Sequence, residues 1–130
     1  MIRKIAELRS SSSGCGDARL LSQGTDILLE YEFHLHGVEK IGRLQFTGVV
    51  ACRYRDELRS LGYPSESYEC LVEFISSEWL SELGRIQPSG HDDIQNSKHY
   101  GVFITNNGFF EIVAENVETL NDSEGTLNQL

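Results

Sequence analysis

From Leu29 to His36 the chain alternates strictly. Leu29, Tyr31, Phe33 and Leu35 are apolar, while Glu30, Glu32, His34 and His36 fill the even positions, and Ile27 extends the apolar set. A period of two is that of a β-strand with one dry face. The segment that returns alternates likewise, with Leu44, Phe46, Val50, Cys52 and Tyr54 set against Arg43, Gln45, Thr47, Arg53 and Arg55. With Gly37-Val38-Glu39-Lys40 as the connection, the pattern predicts a hairpin with Phe33 opposite Leu44, Tyr31 opposite Phe46 and Glu32 opposite Gln45. A slip of one residue would set carboxylates against aromatics, so the faces are specified by the pattern.

A third strand is expected from Tyr68 to Phe74, where Tyr68, Cys70, Val72 and Phe74 alternate with Glu69 and Glu73; Leu71 and Ile75 add apolar positions on its other face and place it inside a sheet. Ser76 or Ser77 can cap a short helix reaching Ile86, with Glu78 in its first turn and Trp79, Leu80, Leu83 and Ile86 as its apolar stripe. A second hairpin is expected from Lys98 to Glu115. Its turn is assigned to Asn107-Gly108, because Asn-Gly tolerates the positive φ of a type I′ turn. That choice pairs Phe103 with Ile112, Val102 with Val113 and Thr105 with Phe110. Met1 to Arg9 fits either a short helix or a strand, and Ala18 to Ser22 fits a short strand. The expected fold class is α+β, mostly antiparallel β, as a sandwich or partly open barrel with one short helix. Residues 1–130 read as a single domain, with a flexible Ser/Gly loop over 10–16, a polar loop from Gln87 to Ser97 and a frayed tail over 121–130.

Composition adds two constraints. A chain of 130 residues can bury a core without a metal or disulfide. Its three cysteines, Cys15, Cys52 and Cys70, show no ligand spacing. The odd count, the lack of a signal-peptide pattern after Met1 and the lack of a long apolar run point to a reducing cytoplasm. Charge is more informative: residues 1–65 carry nine Lys or Arg against eight Asp or Glu, whereas residues 66–130 carry two against twelve. A field of this sign disfavours nucleic acid and anionic membrane and favours a basic protein partner. The acids expected to form that partner-binding face are Glu111, Glu115, Glu118 and Asp122.

Several groups could carry chemistry. His34 and His36, sharing a face with Glu30 and Glu32, have metal-ligand spacing, but a solvent-facing strand shows the same alternation, and no metal or other cofactor is called for. Cys15, between two glycines, reads as an exposed loop thiol. Tyr31 and Tyr63 are candidate interface anchors. A ligand-binding or hydrolytic pocket could be assembled from Arg53, Arg55, His91, Asp92 and His99, with histidine and carboxylate as acid and base and the arginines holding an anion. Pairing of Arg53, Arg55 and Arg59 with Asp56, Glu57, Glu69 or Glu73 is the simpler use of those charges.

The closing segment, Lys98-His99-Tyr100-Gly101-Val102-Phe103-Ile104 followed by Asn106-Asn107-Gly108-Phe109-Phe110-Glu111-Ile112-Val113-Ala114-Glu115, resembles the terminal hairpin of small acidic bacterial immunity proteins of polymorphic-toxin systems. The resemblance covers about a seventh of the chain. It implies a single-domain, non-enzymatic inhibitor that blocks a basic toxin nuclease with an acidic face, and it transfers no site residue. Three expectations follow: a non-enzymatic acidic binding module for a basic protein, a small barrel with a His/Asp/Arg pocket, or a homo-oligomer in which the near-neutral half of one subunit meets the acidic half of another.

Overall fold

The computed structural model describes residues 1–9, 15–59, 62–86, 94 and 96–127. In chain order the elements are β1 (Ile2–Glu7), β2 (Ala18–Gln23), β3 (Asp26–Leu35), β4 (Val38–Asp56), β5 (Cys70–Phe74), α1 (Glu78–Ile86), β6 (Lys98–Ile104) and β7 (Gly108–Glu124). The fold is mostly antiparallel β with one α-helix. The seven strands form one continuous sheet in the order β1-β5-β6-β7-β4-β3-β2, so the two facing sheets of a sandwich do not form among the described residues. The N-terminal segment that fitted helix or strand is the edge strand β1. No helix among the described residues is long and apolar enough to cross a membrane.

The first hairpin forms with its faces as expected and its register shifted. Phe33 lies opposite Lys40, Tyr31 opposite Gly42, Leu29 opposite Leu44 and Ile27 opposite Phe46. The reason is the turn: His36 and Gly37 take φ of 53° and 78°, closing a two-residue connection between Leu35 and Val38. The shift is by an even number of residues, so the apolar face survives it. The second hairpin departs further. Phe103 lies opposite Phe109, Val102 opposite Phe110 and Tyr100 opposite Ile112. Asn106, not Asn107, takes the positive φ, at 69°, and the Asn107 amide N–H donates to Ile104 O at 2.9 Å. Both faces of β6 and β7 are apolar, so the hydrophobic pattern could not exclude an odd slip there.

Those two dry faces organise the molecule. On the inner face, Leu29, Tyr31, Phe33, Leu44, Phe46, Tyr100 and Ile112 belong to one buried cluster. Burial of a phenylalanine such as Phe33 or Phe46, each 1 % exposed, contributes about 1.5–3 kcal/mol. On the outer face, Val72, Phe103, Phe109 and Val113 are also buried, and α1 lies over this side of β6. Gly101 permits the close packing there: a Cβ at this position would come within 2.6 Å of the Phe74 ring.

Of the expected tail, residues 121–127 are held in place. β7 continues through Glu124, with Ser123 opposite Ile41, and beyond it the Gly125 N–H donates to Glu39 O at 2.9 Å. Leu127 is buried and its N–H donates to Glu32 Oε2 at 2.8 Å. Residues 128–130 lie outside the described residues. Of the expected loop over 10–16, residues 10–14 also lie outside them. Cys15 is buried, and Gly16 donates to Glu32 O at 2.8 Å.

Candidate functional site

A connected gathering of polar side chains lies on the outer face under α1. Arg53 on β4 sits directly opposite Glu111 on β7, and the two side chains meet in a bidentate pair at 2.8 and 3.0 Å. On the other side of β7, Gly101 lies opposite Glu111. The Phe74 ring fills the space over that glycine and packs against His99, with ring centroids 4.3 Å apart. His99 Nε2 then lies 2.9 Å from Glu111 Oε1, and His99 Nδ1 lies 2.7 Å from Ser77 Oγ.

Ser77 is there because it caps α1. Its hydroxyl oxygen accepts the Leu80 N–H at 3.0 Å, and its carbonyl accepts the Ser81 N–H at 3.1 Å. Trp79, two residues on, presents its ring to the Arg53 guanidinium at 4.0 Å and meets the His99 ring edge-on at 5.1 Å. Arg53, Glu111, His99, Ser77 and Trp79 thus form one connected set drawn from β4, β7, β6 and the start of α1.

The electrostatics follow from this packing. The Glu111 side chain is only 4 % exposed. Burial pushes its carboxyl pKa up, but hydrogen bonds from His99 and Arg53, with the charge of Arg53 and that of His99 when it is protonated, outweigh burial and hold it at about 2. The group is therefore an ionised acceptor at neutral pH. An acceptor-only carboxylate places the proton of the facing imidazole nitrogen on Nε2, and the Ser77 hydroxyl, whose oxygen already accepts from Leu80, can donate to Nδ1. Arg55 approaches Glu111 at 3.9 Å and lies over the Phe109 ring, and its side chain is half exposed.

The structure therefore brings together three members of the expected pocket, Arg53, Arg55 and His99. Their counter-charge is Glu111, which the charge pattern had placed on a partner-binding surface. His91 and Asp92 lie outside the described residues. Of the other acids of that expected surface, Glu115 and Glu118 are exposed on β7. Asp122 is turned toward Arg9, 3.1 Å away, with its side chain 18 % exposed. The four acids do not form one face. Arg59 pairs with Asp56 at 2.5 Å, as the simpler reading of the arginines had it.

Other expectations also change. Glu30 does not face solvent. It is buried between Arg19 and Arg43, at 2.8 and 2.9 Å. His36 leaves the strand in the turn, while His34 stays exposed 3.6 Å from Glu39. Among the described residues no group of three His, Cys, Asp or Glu is arranged to hold a metal ion. Tyr31 is a core residue at 2 % exposure, and Tyr63 stacks on Phe103 with centroids 4.0 Å apart. Cys15 is buried, and burial, aided by the charge of Glu69, pushes its thiol pKa up to about 12, the opposite of an activated thiol.

Sequence reasoning missed Ser77 and Trp79 as site residues, assigning them only to helix capping and packing. An open groove of about 870 Å³ runs beside α1 and includes Ser77, Ile75, Leu80 and Ile94 in its lining. No family model, curated protein or solved structure matches this chain.

Proposed function

We propose that the protein is a binding module for a basic protein, engaged through carboxylates that the fold leaves uncompensated. One observation carries this reading. Eight of the eleven Lys and Arg side chains are paired with carboxylates within the molecule: Arg3, Lys4, Arg9, Arg19, Arg43, Arg53, Arg55 and Arg59. Glu78 and Glu82 on α1 and Glu115, Glu118 and Glu124 on β7 are exposed and make no ion pair among the described residues. Eight of the nine positive charges of the first half are thus spent internally, and the excess negative charge is left at the surface, where it steers and orients a cationic partner. The likeness of the closing hairpin to immunity proteins supplies one class of partner, a basic toxin domain.

The same reading extends to the shape of the sheet, which we take as a partly open barrel. Its support is that Phe46 on β4 and Tyr100 on β6 bring their rings within 5.8 Å across the intervening β7. Asn107, at the tip of the second hairpin, also reaches the start of β2, accepting from the Ala18 N–H at 3.0 Å and donating to Gly16 O at 2.6 Å.

The test is a binding titration of the protein against a panel of basic protein domains and against duplex DNA over a range of salt. Binding to a basic domain that weakens steeply with salt and is lost in the combined E115K and E118K variant is the expected result. DNA binding, or protein capture unchanged by the reversal, contradicts the reading.

A further inference from the structure

We propose that Ser77 is a covalently reactive nucleophile, with His99 as its base, toward small esters or similarly activated acyl groups that carry an apolar chain. The proposal is independent of the basic-partner reading, because Glu115 and Glu118 play no part in it. Its first support is the line of atoms from Ser77 Oγ to His99 Nδ1 at 2.7 Å and from His99 Nε2 to Glu111 Oε1 at 2.9 Å. A nucleophile bonded to a base, with that base oriented by a third, ionised group, is the arrangement that activates a serine. The two imidazole nitrogens have exchanged places relative to the serine-protease triad, in which Nε2 faces the serine. The proton logic is unchanged: Glu111 keeps the proton on Nε2, and Nδ1 presents its lone pair to the hydroxyl.

The second support is access. His99 and Glu111 are buried, whereas Ser77 is half-buried and lines the groove beside α1, where Ile75, Leu80 and Ile94 offer apolar contacts for an acyl chain among the charged Glu78, Glu82 and Arg85. The third is the helix end. The Leu80 and Ser81 amides are occupied by Ser77 itself, which among the described residues leaves the Glu78 and Trp79 amides as the first-turn donors next to the nucleophile. Arg53 fixes Glu111 bidentately, and Trp79 closes the edge of the imidazole.

In the reaction, Ser77 Oγ forms a bond to the acyl carbon as its proton passes to His99 Nδ1. The bond to the leaving alcohol then breaks, and the alcohol takes that proton. Water, deprotonated by the same nitrogen, releases the acid from the acyl-serine and restores the hydroxyl. Glu111 acts as a positioning residue.

The experiment uses the full chain and an alkyl fluorophosphonate, which forms an O–P bond to a reactive serine with loss of fluoride and a proton. We expect one label, mapped by mass spectrometry to the peptide bearing Ser77 and absent in S77A. Labelling should be slowed roughly a hundredfold in H99Q. The pH profile of wild-type labelling needs no variant and reads the base directly: the rate should rise with pH as a single ionisation. A folded wild-type protein unlabelled at Ser77 under conditions that label a known serine hydrolase overturns the proposal. So does a flat pH profile, or labelling as fast in a folded H99Q as in the wild type.

Discussion

Glu30 and Glu111 are both buried carboxylates gripped by arginine, yet they hold different things together. Glu30 is flanked on its own sheet by Arg19 on β2 and Arg43 on β4, each directly opposite it in the ladder, and Arg43 passes the contact on to Ser123 Oγ at 2.8 Å. The cluster zips neighbouring strands of a meander. Glu111 has one such partner, Arg53, but its second is His99 from the strand on its other side, and through His99 it reaches Ser77 at the end of α1. The same charge chemistry therefore serves sheet cohesion in one place and helix attachment in the other. Only the second places a hydroxyl, an imidazole and a carboxylate in series beside a groove.

The largest effect expected to separate the two is the loss of either carboxylate. Glu111→Ala leaves the buried His99 imidazole without its acceptor and the half-exposed Arg53 without its partner, and should cost about 1–3 kcal/mol in denaturant unfolding. Glu30→Ala should also destabilise. Only the Glu111 change should alter the fluorescence of Trp79, the one tryptophan in the chain, because only that cluster touches α1. Equal perturbation of Trp79 by both variants would mean the clusters are not distinct.

A smaller effect sharpens the same contrast. Ser77→Ala removes the helix cap and should cost about 1 kcal/mol. Combined with Glu111→Gln the two losses should fail to add, because both groups act on His99, whereas with Glu30→Gln they should add within about 0.5 kcal/mol. Additivity in both pairs would break the proposed link from helix to carboxylate.

Much of the scaffold was legible in the chain. The alternation of Ile27 to Leu35 gave the strand and its dry face, and Ser77 followed by Trp79, Leu80 and Leu83 gave the helix. The registers were not legible. The first depended on His36 accepting positive φ, and the second lay in strands apolar on both faces, where pattern carries no register information. The site was less legible still. Arg53 and Glu111 are 58 positions apart in sequence, and their meeting depends on β4 pairing with β7 across the intervening β5, α1 and β6. Local charge counting therefore assigned Glu111 to the surface with Glu115 and Glu118. His99 and Arg53 were assigned to one pocket, but the carboxylate that joins them was assigned to a different surface.

The central claim, that an ionised Glu111 ties the start of α1 to the sheet, is tested most directly by acid titration of wild type against E111Q. Held at about 2 in the fold against an ordinary value of 4.5, the carboxylate contributes stability that is fully present above pH 4.5 and lost as pH falls from 4.5 toward 2. For a side chain this buried the contribution is on the order of 3 kcal/mol. The stability advantage of wild type over E111Q should therefore shrink through that window, with Trp79 fluorescence changing in the same step. An advantage that stays constant from pH 4.5 to 2, or one lost while the Trp79 signal is unmoved, would contradict it.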